Sequence, residues 1–174
     1  MDPILSALSI AVSRLSTEQR FLAIRQRMAA ALLQNPDAPQ AWEPLPQDLV
    51  ESALPGGIRS CWIFRLRAHG TFGAERHPNS HQRSVALSGL ATFEVLEGDS
   101  WVAKPISGDA ADPLQDSWIS IPPSQWHRIQ VGPTDFESCS FHTAPADELL
   151  EETPVGNDLK VTHKRLYQSD LRLL

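Results

Sequence analysis

Between residues 58 and 143 the chain breaks into short apolar runs separated by turn residues, and this texture limits the fold more than any other feature. Residues 58–68 form a long strand candidate, with Trp62, Phe64 and Leu66 on one face, because successive side chains of a strand alternate between faces. Further runs follow at 83–87, 90–96, 100–105, 117–121, 127–131 and 135–143. Gly89 and the pair Gly98-Asp99 are turn signals, and 107–115 reads as a polar loop. Short strands at this spacing call for a sandwich or a barrel. No repeat and no low-complexity tract interrupts them.

The first 55 residues carry a different period. Asp2-Pro3 gives a cap followed by proline at the first helical position, and Ile4, Leu8, Ala11 and Leu15 then recur at helical spacing. Ser16 and Gln19 have the spacing of a capping box for a second helix, whose stripe is Phe21, Ile24, Met28 and Leu32. Asn35-Pro36 stops that helix, since a residue before proline is pushed out of the helical region. A short third helix is expected over 47–53, ended by Pro55-Gly56-Gly57. Both stripes are expected to be packing faces. After Pro145 the chain turns acidic, at Asp147, Glu148, Glu151 and Glu152, and it closes in a basic, weakly helical piece over 162–174. The expected division is a helical extension (1–55) packed on a barrel (56–145) with a C-terminal tail (146–174). With 174 residues, the whole is expected to be one domain.

Composition narrows the functional classes. A formal net charge of -6 argues against a nucleic-acid partner, because phosphate binding needs clustered cations. No apolar run approaches the roughly 20 residues that span a bilayer. The N-terminus lacks a basic segment followed by an apolar block and a small-residue cleavage site. Cys61 and Cys139 lie far apart without C-x-x-C spacing, which fits two buried thiols in a reducing compartment. The expected location is the cytoplasm. No nicotinamide or flavin fingerprint is present.

Chemistry concentrates on histidine. Four of the six histidines fall in two groups: Glu75-Arg76-His77-Pro78-Asn79-Ser80-His81-Gln82, and Trp126-His127 with His142 after it. Residues i and i+2 of a strand share a face, so Glu75 and His77 can project together. Pro78-Asn79-Ser80 reads as a turn that can bring His81 or Gln82 back toward His77, while His127 can close the site from a distant strand. By strand alternation His81 and Gln82 cannot both point inward unless the turn extends past Ser80. Two imidazoles and one carboxylate on one side of an ion form the facial arrangement that leaves positions open on Fe(II). His142 suits the task of orienting a ligand. Arg65 and Arg67 share a strand face and can serve a substrate carboxylate, though a solvated outer face is the plainer reading.

These residues resemble the two motifs of the cupin superfamily. The first motif is Gly, five residues, His-x-His, three or four residues, Glu, six residues, Gly. Glu75-x-His77 stands at its histidine pair, Gln82 at its glutamate and Gly89 at its closing glycine. In the second motif Pro122 and His127 stand at the proline and histidine, Ser124 replaces a glycine, Asp116 the leading glycine and Val131 the asparagine. A narrower likeness is to the cysteine dioxygenase branch, which reads His-x-His-x-x-Ser-His-Cys where this chain reads Glu75-x-His77-x-x-Ser80-His81-Gln82. That branch continues with Ser-x-His-x-Tyr, matched by Ser140-x-His142 with Ala144 at the tyrosine. The resemblance covers residues 58–143.

The resemblance implies a mainly β protein, a double-stranded β-helix or jelly-roll barrel carrying an N-terminal helical extension. It implies a divalent metal, Fe(II) first, with Ni, Mn or Zn as alternatives. Glu75, His77 and His127 are the expected ligands, with His81 as a further candidate. His142, Ser140 and Gln82 would position a small-molecule substrate. The implied activity is that of a mononuclear dioxygenase. A non-catalytic metal- or ligand-binding cupin and a sugar isomerase or epimerase remain alternatives. Pairing of barrels through edge strands implies a homodimer. Gln82, Ala144 and Glu75 replace the branch's thioether cysteine, tyrosine and first histidine, which speaks against cysteine as substrate.

Overall fold

The structure is a computed structural model that describes residues 3–50, 54–109, 116–156 and 158–167. Helix α1 (Pro3–Leu15) buries Leu8, Ala11 and Leu15, and α2 (Gln19–Gln34) buries Phe21, Ile24, Met28 and Leu32. The helical stripes are thus the packing faces. The capping box does not form: Glu18 is the N-cap of α2 and makes no side-chain cap bond. Ser16 Oγ donates instead to Val12 O at 2.9 Å, and Thr17 Oγ1 to Arg14 O at 2.8 Å. Carbonyls in the last turn of α1, which also accept backbone N–H groups, take the Ser16 hydroxyl that the capping box would have used. The third helix is α3 (Gln47–Val50); residues 51–53, like the Asp2 cap, lie outside the described residues.

The strands are β1 (Gln40–Pro44), β2 (Ser60–Leu66), β3 (Thr71–Glu75), β4 (Gln82–Ser88), β5 (Leu90–Glu97) and β6 (Ser100–Ser107), followed by β7 (Trp118–Ile121), β8 (His127–Val131), β9 (Phe136–His142), β10 (Leu150–Val155) and β11 (Asp158–Leu166). A five-stranded sheet runs β1-β2-β9-β4-β7, a four-stranded sheet runs β3-β8-β5-β6, and β10-β11 form a ribbon. All pairings are antiparallel. At Gly89, between β4 and β5, φ is +74° and an added Cβ would lie 2.4 Å from Asp135 O, so the turn requires glycine.

Two segments differ from the sequence reading. Residues 40–44, expected within a helical extension, are the edge strand β1, which places Trp42 opposite Phe64. Prolines at 39, 44 and 46 disguise it, and an edge is where a sheet tolerates proline. The C-terminal piece, expected to be weakly helical over 162–174, begins within strand β11 of the hairpin β10-β11, and residues 168–174 lie outside the described residues. Its charges explain the outcome: the register sets Glu151 against Arg165 and Glu152 against Lys164, so acidic and basic stretches become facing strands. Arg76 bridges to Glu152 and joins this ribbon to the end of β3.

Two cores follow from strand alternation. Cys61, Ile63, Val85, Cys139 and Phe141 leave the outer face of the five-stranded sheet and pack with the stripes of α1 and α2. Leu66, Ala86, Ile119, Ile121 and Phe136 face inward against Ala91, Phe93, Val95 and Val131 of the other sheet. The cysteines are free and buried. Burying each large apolar side chain is worth roughly 1.5–3 kcal/mol, so covering the outer sheet face is a substantial task for the helices. Among the described residues no helix is long and apolar enough to cross a membrane.

Candidate metal centre

The inner mouth of the barrel gathers Glu75, His77 and His127. Glu75 ends β3 directly opposite His127, the first residue of β8. The β3-β8 register shifts between Phe72 and Glu75, and the chain runs on through the Arg76 bridge to His77. One potential ligand atom from each residue lies within 4.8 Å of the other two. Glu75 Oε1 is 3.3 Å from His127 Nε2 and 4.0 Å from His77 Nε2. Ligand atoms held by bonds of about 2.1 Å at right angles are about 3 Å apart, so these separations are near those of a shared ion.

The backbone sets the state of both imidazoles. His77 Nδ1 is 2.9 Å from Leu150 O, and His127 Nδ1 is 3.2 Å from Gln125 O. A carbonyl only accepts, so each Nδ1 carries a hydrogen, and in the neutral tautomer each Nε2 presents its lone pair inward. His127 Nε2 is buried without a hydrogen-bond partner. It lies 3.3 Å from a carboxylate oxygen, a spacing that a hydrogen on Nε2 or a cation held between the two would satisfy. Burial tends to raise the Glu75 carboxyl, but a hydrogen bond and positive charge from His127, then His77 and Arg165, outweigh it and hold it below its usual range. Burial lowers His77, with His127 adding to the effect and Glu75 opposing it. An ionised carboxylate beside a neutral imidazole is the donor state a metal needs, and this donor set fits a divalent ion.

The other expected residues divide by direction. His142 is buried, with its ring centroid 4.9 Å from that of His77 and its Nδ1 3.3 Å from Ser80 Oγ, but it lies outside the triad. Burial, then His77 and His127, hold it well below the ordinary imidazole range. Gln82 faces inward opposite His142; its Nε2 donates to Ser84 Oγ at 3.0 Å, and Ser84 Oγ lies 2.7 Å from Ser140 Oγ. His81 turns away: its Nε2 is 2.8 Å from Ser120 Oγ, so the structure does not bring it to the ion site. Alternation decides this, because β4 begins at Gln82 and Gln82 takes the inward position. Arg65 lies 3.5 Å from Asp135, and Arg67 donates to Leu32 O, Asn35 O and Ala38 O, so both arginines serve the scaffold. Ser124, at a motif glycine, takes φ of +64°, and its N–H donates to His77 O at 3.0 Å.

Sequence reasoning missed the hairpin's contribution. Leu150 supplies the carbonyl that orients His77, and Tyr167 sets its ring 5.3 Å from that of His77 and 5.2 Å from that of Trp62. Burial, with Glu75 and Glu151 adding, raises the phenol well above its ordinary pKa, so Tyr167 stays neutral. The only signal was that Tyr167 is the chain's single tyrosine. A cavity of about 840 Å³ opens beside the triad, with Glu75, Gln82, Ser140 and Tyr167 on its wall.

No protein-family model matches the sequence, and no curated protein matches it. Solved structures do. The coconut allergen cocosin is 14% identical with a TM-score of 0.53, over 69% of this chain and 30% of that one. Pumpkin seed globulin is 13% identical with a TM-score of 0.51, over 67% of this chain and 28% of that one. An oxalate oxidase in complex with the substrate analogue glycolate is 15% identical with a TM-score of 0.48, over 62% of this chain and 52% of that one. The chain thus spans about half of the oxidase and under a third of each globulin. At such identities the likeness speaks for architecture alone, and that architecture is the mainly β jelly-roll barrel of the cupins.

Proposed function

We propose that this chain is a mononuclear metal-dependent cupin, with Fe(II) as its ion, acting as a dioxygenase on a small molecule. One observation carries the reading: His127 Nε2, buried without a hydrogen-bond partner among the described residues, lies 3.3 Å from the Glu75 carboxylate, with His77 Nε2 beside them. Glu75, His77 and His127 would hold the ion, on one side, and leave the cavity side open. Bound there, Fe(II) would supply Lewis acidity and a redox couple for dioxygen. The protein's own residues bind and orient. Gln82 and the Ser84–Ser140 hydroxyl pair present polar atoms to a ligand, and Tyr167 covers His77 and His142. Ala144 packs beneath Trp62 and leaves no hydroxyl at the position the cysteine dioxygenase resemblance would fill with tyrosine. Together with Gln82 in place of the thioether cysteine, this supports a substrate other than cysteine.

The test is metal analysis of protein purified without added metal, followed by oxygen uptake against small thiols, β-diketones and aromatic acids. The reading requires about one Fe(II) per chain and uptake with at least one class. Failure to take up Fe(II), Mn(II), Ni(II) or Zn(II) removes it. One ion per chain with no oxygen consumption leaves a non-catalytic binding protein.

A further inference from the structure

The cavity has a character of its own, beyond the presence of an ion. Its volume of about 840 Å³ lies in the upper part of the roughly 300–1,000 Å³ range of pockets that enclose drug-sized ligands. A three-atom thiol or a dicarboxylate would leave most of that space to water against apolar walls. Those walls are aromatic: Trp42, Phe64, Phe72, Phe93, Trp101 and Tyr167 all line it. Trp42 lies nearly parallel to Phe64, at 24° and 6.3 Å between centroids, and Tyr167 sits 5.7 Å from Trp42. Ring faces and edges arranged in this way favour a flat ring against them.

The charges limit the other end of the ligand. Four charged residues line the cavity among the described residues: Glu75, Arg128, Glu151 and Arg165. Arg128 Nε bonds Glu94 at 2.6 Å, with its guanidinium 4.4 Å over Trp101, and Arg165 bonds Glu151 at 2.8 Å. Each cation on the wall is already matched by a carboxylate. Glu75 and a divalent ion together leave one positive charge, which one negative charge balances; a dianion would leave an unmatched buried charge, which is costly. Gln82 completes the polar end. It is 5% exposed, and its Oε1 is buried without a hydrogen-bond partner among the described residues. Turned half round, the amide offers its NH2 instead, so it serves a ligand hydroxyl or a ligand carbonyl.

Resting on the metal reading above, we propose that the occupant is a flat aromatic molecule whose oxygen-chelating head carries a single negative charge, such as an enol or phenol beside a carbonyl. Small amino acids are the wrong size, and small dicarboxylates the wrong size and charge.

The probes are 3-hydroxyflavone and maltol, which share one chelating head but differ in aromatic body, together with oxalate and cysteine. Each is titrated anaerobically into the full chain loaded with Fe(II), by calorimetry, and protein-bound iron is measured after gel filtration. The expected result is 3-hydroxyflavone binding about ten-fold or more tighter than maltol, with both tighter than oxalate and cysteine. Phe64→Leu should shrink the flavone-to-maltol margin to about three-fold or less at unchanged iron content; Trp42→Leu serves if that variant does not fold. Maltol binding as well as the flavone, oxalate or cysteine binding best, iron leaving with the flavone, or a margin unmoved in a folded variant overturns the proposal. A chain that takes up no ion overturns the metal reading as well, whereas one that holds iron but prefers oxalate overturns only this inference.

Discussion

Glu75 and His127 stand directly opposite each other on β3 and β8, with carboxylate Oε1 3.3 Å from imidazole Nε2. His127 Nδ1 faces the Gln125 carbonyl, and its Nε2 has no hydrogen-bond partner among the described residues. Glu75→Gln removes the charge without removing the shape. We expect it, like His77→Ala and His127→Ala, to lower metal affinity by more than about 100-fold, beyond the loss typical of removing an outer partner. Metal per chain after dialysis reads this out. Full stoichiometry in any of the three variants would show that the ion sits elsewhere.

The metal-free protein should weaken in mild acid. Burial holds His142 well below and His77 below an ordinary value of 6.5. The unfolded chain therefore takes protons at a pH where the folded chain refuses them. Stability is full above about pH 6.5 and falls below it, by about 1.4 kcal/mol per pH unit for each histidine, until the folded groups also protonate. Urea midpoints of the metal-free chain between about pH 7.5 and pH 5 should show this slope, and His142→Gln should reduce it. A flat profile would mean that these imidazoles are not held neutral.

The barrel was legible where its strands obey period two. Trp62, Phe64 and Leu66 point to the side away from Cys61 and Ile63, and the expected runs at 83–87, 90–96 and 127–131 match β4, β5 and β8. What hid was structure that depends on a distant partner. β3 carries one large apolar residue, Phe72, and depends on β8 for its place. The ribbon β10-β11 reads as solvated charge until Glu151 meets Arg165 across it. Glu75 and His77 were legible because their spacing is local, and His127 because it sits at the histidine of a second motif; the carbonyl that orients His77 lies 73 residues away and carries no side-chain signal. The task of the helices was hidden for a related reason: β2 is apolar on both faces, and only the fold shows that one face needs a cover.

Arg67 fastens that cover. Its guanidinium donates to Leu32 O at 2.5 Å, Asn35 O at 2.8 Å and Ala38 O at 2.6 Å, gathering carbonyls from the last turn of α2 and the segment that follows it. Arg67→Met keeps much of the stem but deletes all three bonds. The expected loss is about 2–4 kcal/mol of unfolding free energy, given bonds to a charged donor, with metal content unchanged. Denaturant unfolding monitored by tryptophan fluorescence measures the first, and elemental analysis the second. A loss of metal together with stability would instead place Arg67 in support of the site.

His81 and Gln82 offer the sharpest contrast, because adjacent residues of one strand must take opposite sides. His81 is outside, bonded to Ser120, while Gln82 is inside, opposite His142 and with its Oε1 unpaired. His81→Ala should therefore leave metal content and ligand affinity within about two-fold of wild type, as expected of a side chain away from the site. Gln82→Leu keeps the size and removes both polar atoms. It should leave the ion in place while weakening chelating ligands by about ten-fold, the effect of one lost hydrogen bond of about 1.4 kcal/mol. Metal analysis and ligand titration of the two variants separate the cases. The reverse pattern, with iron lost from His81→Ala and ligand binding intact in Gln82→Leu, would mean that the turn at Ser80 sets β4 one residue out of the register described above.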